Sequence, residues 1–226
     1  SVEGGVAGAG GFVLAAADFP ALMAIKVRML GDVVGAYGWG GDTVETFINP
    51  SHEPRPKYVP TLLDYVGQIK PTVIFISYGM MESFAGEAGL ADFTKNYNRL
   101  LDKLVAASRQ SAENSNENLR IVILSPFHHE ALDGSSPEID AHNKNLQLYV
   151  NAIEEIARER NCAFVNLFET LRMNSKHPLT SNGVHLNTKG YIAAAAAVEK
   201  ALQLPSAKMK RADEEALRVA IKSKNE

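Results

Sequence analysis

Val73-Ile74-Phe75-Ile76, followed by Ser77-Tyr78-Gly79-Met80-Met81-Glu82-Ser83, decides the fold class. Four consecutive apolar residues of strand length predict a strand covered on both faces, because a half-solvated strand would alternate with polar residues. The run ends in a polar cluster that holds a glycine. A second run, Ile121-Val122-Ile123-Leu124, has the same character and is stopped by Ser125-Pro126. Ala163-Phe164-Val165-Asn166-Leu167 reads as a third strand.

Helical patterns alternate with these runs. Pro60 opens a helix whose apolar face is Leu62, Leu63, Val66 and Ile69, and Pro71 ends it. From Asp92, read as an N-cap, to Arg109, the residues Phe93, Tyr97, Leu100, Leu101, Leu104 and Val105 share one face. Residues 111–119 are a polar loop, and 127–140 are read as a loop from Asp133-Gly134 and Ser136-Pro137. His142-Asn143 is taken as the start of a helix carrying Leu146, Tyr149, Val150, Ile153 and Ile156. Residues 173–187 form a loop, and a last helix runs from Thr188 to about Leu202. Strands alternating with helices predict an α/β fold, a three-layer αβα sandwich around a flavodoxin-like parallel sheet. One domain over residues 1–205 is expected, followed by a C-terminal helix or linker start over 206–226.

Residues 1–36 are atypical. Residues 2–42 hold ten of the seventeen glycines and no Ser, Thr, Asn or Cys. Two readings stay open: a Gly/Ala-rich first strand and helix, or a rearranged N-terminal stretch.

The chain has 226 residues, 46% of them apolar, enough for a sizeable core. A net charge of −3 carries no basic footprint, so nucleic acid is not an expected partner. No run approaches the ~20 apolar residues of a membrane-spanning helix. The single cysteine, Cys162, excludes a disulfide scaffold and a cysteine-rich zinc site. Gly8-Ala9-Gly10-Gly11-Phe12-Val13 lacks the third small residue of a dinucleotide fingerprint, and no Gly-Lys-Ser/Thr is present, so no cofactor and no metal is expected. The start at Ser1 and the charged, helix-prone end predict a piece of a longer chain with further domains. No intact signal peptide is seen, and the compartment stays open.

In open α/β sheets, sites gather at the carboxyl ends of strands. Three clusters fall there or before the last helix: Gly38-Trp39-Gly40-Gly41-Asp42-Thr43, Tyr78-Gly79-Met80-Met81-Glu82-Ser83, and Thr180-Ser181-Asn182-Gly183-Val184-His185-Leu186. In this order, over residues 37–203, they resemble the blocks of the SGNH (GDSL-like) hydrolase family. The resemblance implies a small ester, such as an acetylated carbohydrate, as substrate. It implies Gly41 as an oxyanion-hole amide, His185 as general base and Asn182 as the residue that orients His185.

The match has gaps. No Ser, Thr or Cys lies between Ser1 and Thr43, so the family's nucleophile is not found. Met81 stands where the family has an oxyanion Asn, and a thioether has no donor. Asn182 stands where the family has Asp; in the serine-protease template the comparable change costs about 10⁴ in kcat. These gaps keep a second reading alive: a catalytically silent domain that binds a carbohydrate or a partner through the same cleft. A flavodoxin-like binder of a phosphate cofactor has no supporting motif.

Further cleft candidates are Trp39, which could line a sugar or acyl pocket, Asp42 and Glu82, which could orient His185 or cap helices, and His129. His128 and His129 are adjacent in an extended chain, so they point to opposite faces and chelate one metal poorly. Ser83 is a remote candidate for a replacement nucleophile.

Overall fold

The structure, a computed structural model, describes residues 12–16, 43–48, 61–69, 71, 73–110, 119–134, 136–171, 177–204, 216 and 219. Its described strands are β1 (Phe12–Ala16), β2 (Val73–Ser77), β3 (Arg120–Leu124) and β4 (Ala163–Val165), in the spatial order β1-β2-β3-β4. The helices are α1 (Val44–Ile48), α2 (Leu62–Ile69), α3 (Leu90–Gln110), α4 (Pro137–Glu159), α5 (Leu167–Thr170) and α6 (Thr188–Ala201).

β2, β3 and β4 are parallel, with Ile74 opposite Ile121 and Ile123 opposite Phe164. Alternate residues of each strand serve different layers, as the period of two requires. Ile74, Ile76, Ile121 and Ile123 join one core with Val44 and Ile48 of α1, Val66 of α2, Phe93, Tyr97 and Leu101 of α3, and Ile153 of α4. Val73, Phe75, Val122 and Leu124 join the other with Val165, Leu167, Leu171, and Ala194 and Val198 of α6. Helices therefore cover both faces of the sheet, the expected three-layer arrangement.

Five local expectations are corrected. The parallel expectation fails at β1, which runs antiparallel to β2, with Phe12 opposite Ser77 and Ala16 opposite Val73. Either direction satisfies the backbone groups of β2, and no periodicity in residues 2–42 specifies one. The second correction is the start of α3, at Leu90. Asp92 lies in its first turn, where a carboxylate favours the positive helix end without being the cap. Third, α4 begins at Pro137, so residues 137–140 are helix rather than loop: Ser136 accepts the Ile139 N–H and Pro137 occupies the first turn. Fourth, His142 is consequently inside α4 and not at its start. Fifth, the third strand stops at Val165, because the Asn166 side chain accepts the Glu169 N–H and opens the short helix α5 at Leu167.

Pro60, most of residues 1–42 and most of 205–226 lie outside the described residues.

Candidate active site

The site is assembled from three loops at the carboxyl ends of the parallel strands or beside them. After β2, Gly79 adopts φ +111° and the chain turns into a 3₁₀ segment, Glu82–Ala85. The Glu82 carboxylate accepts the Gly79 N–H at 3.0 Å and the Val44 N–H at 2.9 Å. It therefore caps α1 from a residue 38 positions away and ties that helix to the end of β2. Burial raises the Glu82 pKa, and the two N–H donors oppose that rise. Thr43 and Thr46 exchange reciprocal bonds between backbone N–H and side-chain oxygen at the start of α1. Met81, half-buried, immediately precedes the 3₁₀ segment. Gly41, Trp39 and Asp42 lie outside the described residues.

After β3, the Ser125 hydroxyl accepts the Phe168 N–H at 3.1 Å, which fixes the start of α5 against the strand end. The loop then meets α4. Asn143 Oδ1 accepts the His129 N–H at 2.8 Å, and its amide donates to the His129 carbonyl at 3.0 Å. This double bond pattern holds residues 129 and 130 on the helix. His128 stacks on Phe168, with centroids 3.6 Å apart, while the His129 ring meets Phe84 and His142 edge-on.

His129 Nδ1 is 3.0 Å from His142 Nδ1, and His142 Nε2 is 2.8 Å from Ser83 Oγ. Ser83 Oγ also donates to the Met80 carbonyl at 2.7 Å. A hydroxyl has one proton, so with that proton on Met80 O the order follows: His142 Nε2–H donates to Ser83, and His129 Nδ1–H donates to His142 Nδ1. Burial, then the neighbouring His129, lowers the His142 pKa to about 4, which keeps this chain neutral. Ser83 is fully buried and its proton is committed to Met80, so its geometry is that of a structural hydroxyl rather than an exposed nucleophile. Phe84, exposed, covers the His142 ring in a stack with centroids 3.7 Å apart.

The third loop leads into α6 and carries His185. Asn187 caps α6 by accepting the Lys189 and Gly190 N–H groups, and its own amide holds the Pro178 and Thr180 carbonyls. Within the loop, Asn182 Oδ1 lies 2.8 Å from His185 Nδ1 and accepts the His185 and Val184 N–H groups at 3.0 and 3.3 Å. Two backbone donors aim at this atom, so it is the amide oxygen. An oxygen here can only accept, so the His185 proton is on Nδ1 and the lone pair is on Nε2. That is the tautomer a general base needs. In the serine-protease template an Asn in this role fails through the wrong tautomer; the backbone N–H groups of this loop prevent that amide flip. What Asn182 lacks is charge. Burial lowers the His185 pKa, which also favours the neutral base.

The structure places Met81 and Glu82 in the loop after β2, His129 in the loop after β3, and Asn182 and His185 in the loop before α6. Two participants were missed. His142 was read only as a helix start. Glu130 drew no reading from the sequence, yet it is 3% exposed and its carboxylate accepts the Leu179 N–H, the Thr180 N–H and the Thr180 hydroxyl. An acidic residue in the loop after β3, next to His128 and His129, was the available signal. Among the described residues, no group of three or more His, Cys, Asp or Glu could hold a metal, and no helix is long and apolar enough to cross a membrane.

The family model described as the GDSL-like lipase/acylhydrolase family matches residues 6–193. No curated protein sequence matches the chain. Among solved structures, an acetyl xylan esterase is similar at TM-score 0.52 and 20% identity, over 73% of this chain and 78% of that one. A catalytic mutant of an acetylxylan esterase from Geobacillus stearothermophilus is similar at TM-score 0.50 and 20% identity, over 76% and 73%. A carbohydrate acetylesterase from Sinorhizobium meliloti is similar at TM-score 0.51 and 10% identity, over 74% and 75%. At these identities the likeness is one of fold.

Proposed function

Because the chain belongs to the GDSL-like lipase/acylhydrolase family, we propose that it hydrolyses small acyl esters, with acetylated carbohydrates as the substrate class and His185 as the general base. The observation that carries this reading is the Asn182–His185 pair, which leaves Nε2 of His185 as the basic nitrogen. The esterases of acetylated xylan that share the fold support the choice of substrate. Residues 1–205 are the proposed hydrolase unit.

In this family the attacking group is a Ser in the first block, and residues 2–42 contain no Ser, Thr or Cys. Water is then the nucleophile. His185 Nε2 takes a proton from water while the oxygen attacks the acyl carbonyl. The Gly41 N–H stabilises the resulting oxyanion. Collapse of that intermediate breaks the bond to the alcohol oxygen, which takes the proton from His185. Acid and alcohol leave, and the base is restored. Three features predict slow turnover: water in place of an activated Ser, Met81 in place of an amide donor, and an orienting Asn without charge. Loss of a single oxyanion donor typically costs about 10²–10³ in kcat.

The missing Ser and the Met81 thioether favour one second reading, a silent domain that binds carbohydrate in the same cleft. Acetate release from acetylated xylo-oligosaccharides separates the two. Release by the wild type, absent in His185→Ala, supports the hydrolase. Saturable binding of the oligosaccharide with no release above buffer supports the silent domain.

A further inference from the structure

We propose that Glu130 is a positioning residue for His185, holding from the β3 side the loop that fixes the imidazole. The inference rests on the reading of His185 as the base.

Glu130 is a buried carboxylate, and among the described residues no cation pairs with it. An uncompensated buried charge is strongly unfavourable, so its partners define its role. Among the described residues, the partners of its carboxylate all belong to the His185 loop. Glu130 Oε2 accepts the Thr180 N–H at 2.8 Å and both carboxylate oxygens lie 3.1 Å from the Leu179 N. The Thr180 hydroxyl donates to the same carboxylate and in turn accepts the Gly183 N–H at 3.1 Å. The Glu130 backbone N–H donates to the Gly183 carbonyl at 2.8 Å. Glu130 thus grips the loop at residues 179, 180 and 183, on either side of Asn182.

The grip is tight at Gly183. This residue has φ +91°, and a Cβ there would lie 2.9 Å from the His129 ring and from the Glu130 carbonyl oxygen. Glu130 itself is anchored, because the neighbouring His129 backbone is held at both N–H and C=O by Asn143 of α4. The path runs from a long helix to Glu130, to Thr180 and Gly183, and then to Asn182 Oδ1 and His185 Nδ1. In this protein the orienting work is divided: Asn182 sets the tautomer and Glu130 holds the loop that aims Asn182. Replacing Glu130 by Gln presents an NH₂ to donors that need acceptors, so the loop loses part of its hold.

The test is the tautomer of His185, read by long-range ¹H–¹⁵N correlation at pH 8 in the full chain, with cooperative urea unfolding as the check on folding. Wild type is expected to show one tautomer, with the proton on Nδ1. Glu130→Gln is expected to show a mixture with the proton on Nε2. Where hydrolysis of p-nitrophenyl acetate is measurable, kcat falls about 10²-fold with little change in KM, the scale of an ångström-sized misplacement. Thr180→Val, which removes one donor to Glu130 and the acceptor for Gly183 N–H, is expected to shift the tautomer in the same direction. It decides the matter if Glu130→Gln does not fold. A folded Glu130→Gln with the single Nδ1–H tautomer overturns the proposal, as does an unchanged Thr180→Val where only that variant folds. A wild type without esterase activity would count against the hydrolase reading alone, since the tautomer comparison needs no turnover.

Discussion

Asn182 Oδ1 lies 2.8 Å from His185 Nδ1, and the same oxygen accepts the His185 backbone N–H at 3.0 Å. One atom therefore fixes both the loop and the imidazole. Asn182→Asp keeps these acceptor contacts and adds a negative charge beside Nδ1. An adjacent carboxylate stabilises the imidazolium, so the His185 pKa should rise by about 1–3 units. The rate of ester hydrolysis should rise about tenfold or more, since the imidazolium forms in the transition state. An NMR titration of His185 and initial rates on p-nitrophenyl acetate check both. An unchanged His185 pKa would show that the side chains do not meet.

Met81→Asn restores an amide where the resemblance expects an oxyanion donor. If position 81 faces the developing oxyanion, kcat should increase about 10²-fold with KM little changed, the reverse of deleting such a donor. Steady-state kinetics on one small acetyl ester measure it. No change in kcat would place residue 81 outside the oxyanion site.

His142 makes stability depend on pH. An exposed His titrates near 6.5, whereas the folded environment lowers His142 to about 4. Between these values the unfolded chain binds more protons than the folded one, so stability falls as pH falls through that window. The full effect of this residue is about 3 kcal/mol, reached below pH 4. Urea unfolding at pH 7.5 and 5.0 should show wild type losing about 2 kcal/mol more than His142→Gln over the same interval. Parallel losses in both proteins would contradict the assignment.

The parallel core was legible because its signal is local. Val73–Ile76 and Ile121–Leu124 are continuous apolar runs, and all six residues assigned to the apolar face of α3 are buried or half-buried. The Asn182–His185 pair came from the family resemblance, and its contact is local, since the two lie three positions apart in one turn. Glu130 and Thr180 are 50 residues apart, and Ser83 and His142 are 59 apart. Nothing in either segment announces the other, because the sheet topology alone brings them together. The local errors came from signals with two meanings. Ser136-Pro137 is both a turn pair and a helix start, and the helix start prevailed where α4 could bury its apolar face. Asn166 ended a strand by capping a helix. β1 had no alternating pattern to set its direction.

The role of His185 as the base is tested by hydrolysis of p-nitrophenyl acetate by the 226-residue chain beside His185→Ala. Slow turnover by the wild type, above the buffer rate, is expected to disappear in His185→Ala while urea unfolding stays cooperative. Equal rates in the two proteins, whether at background or above it, would contradict His185 as the base.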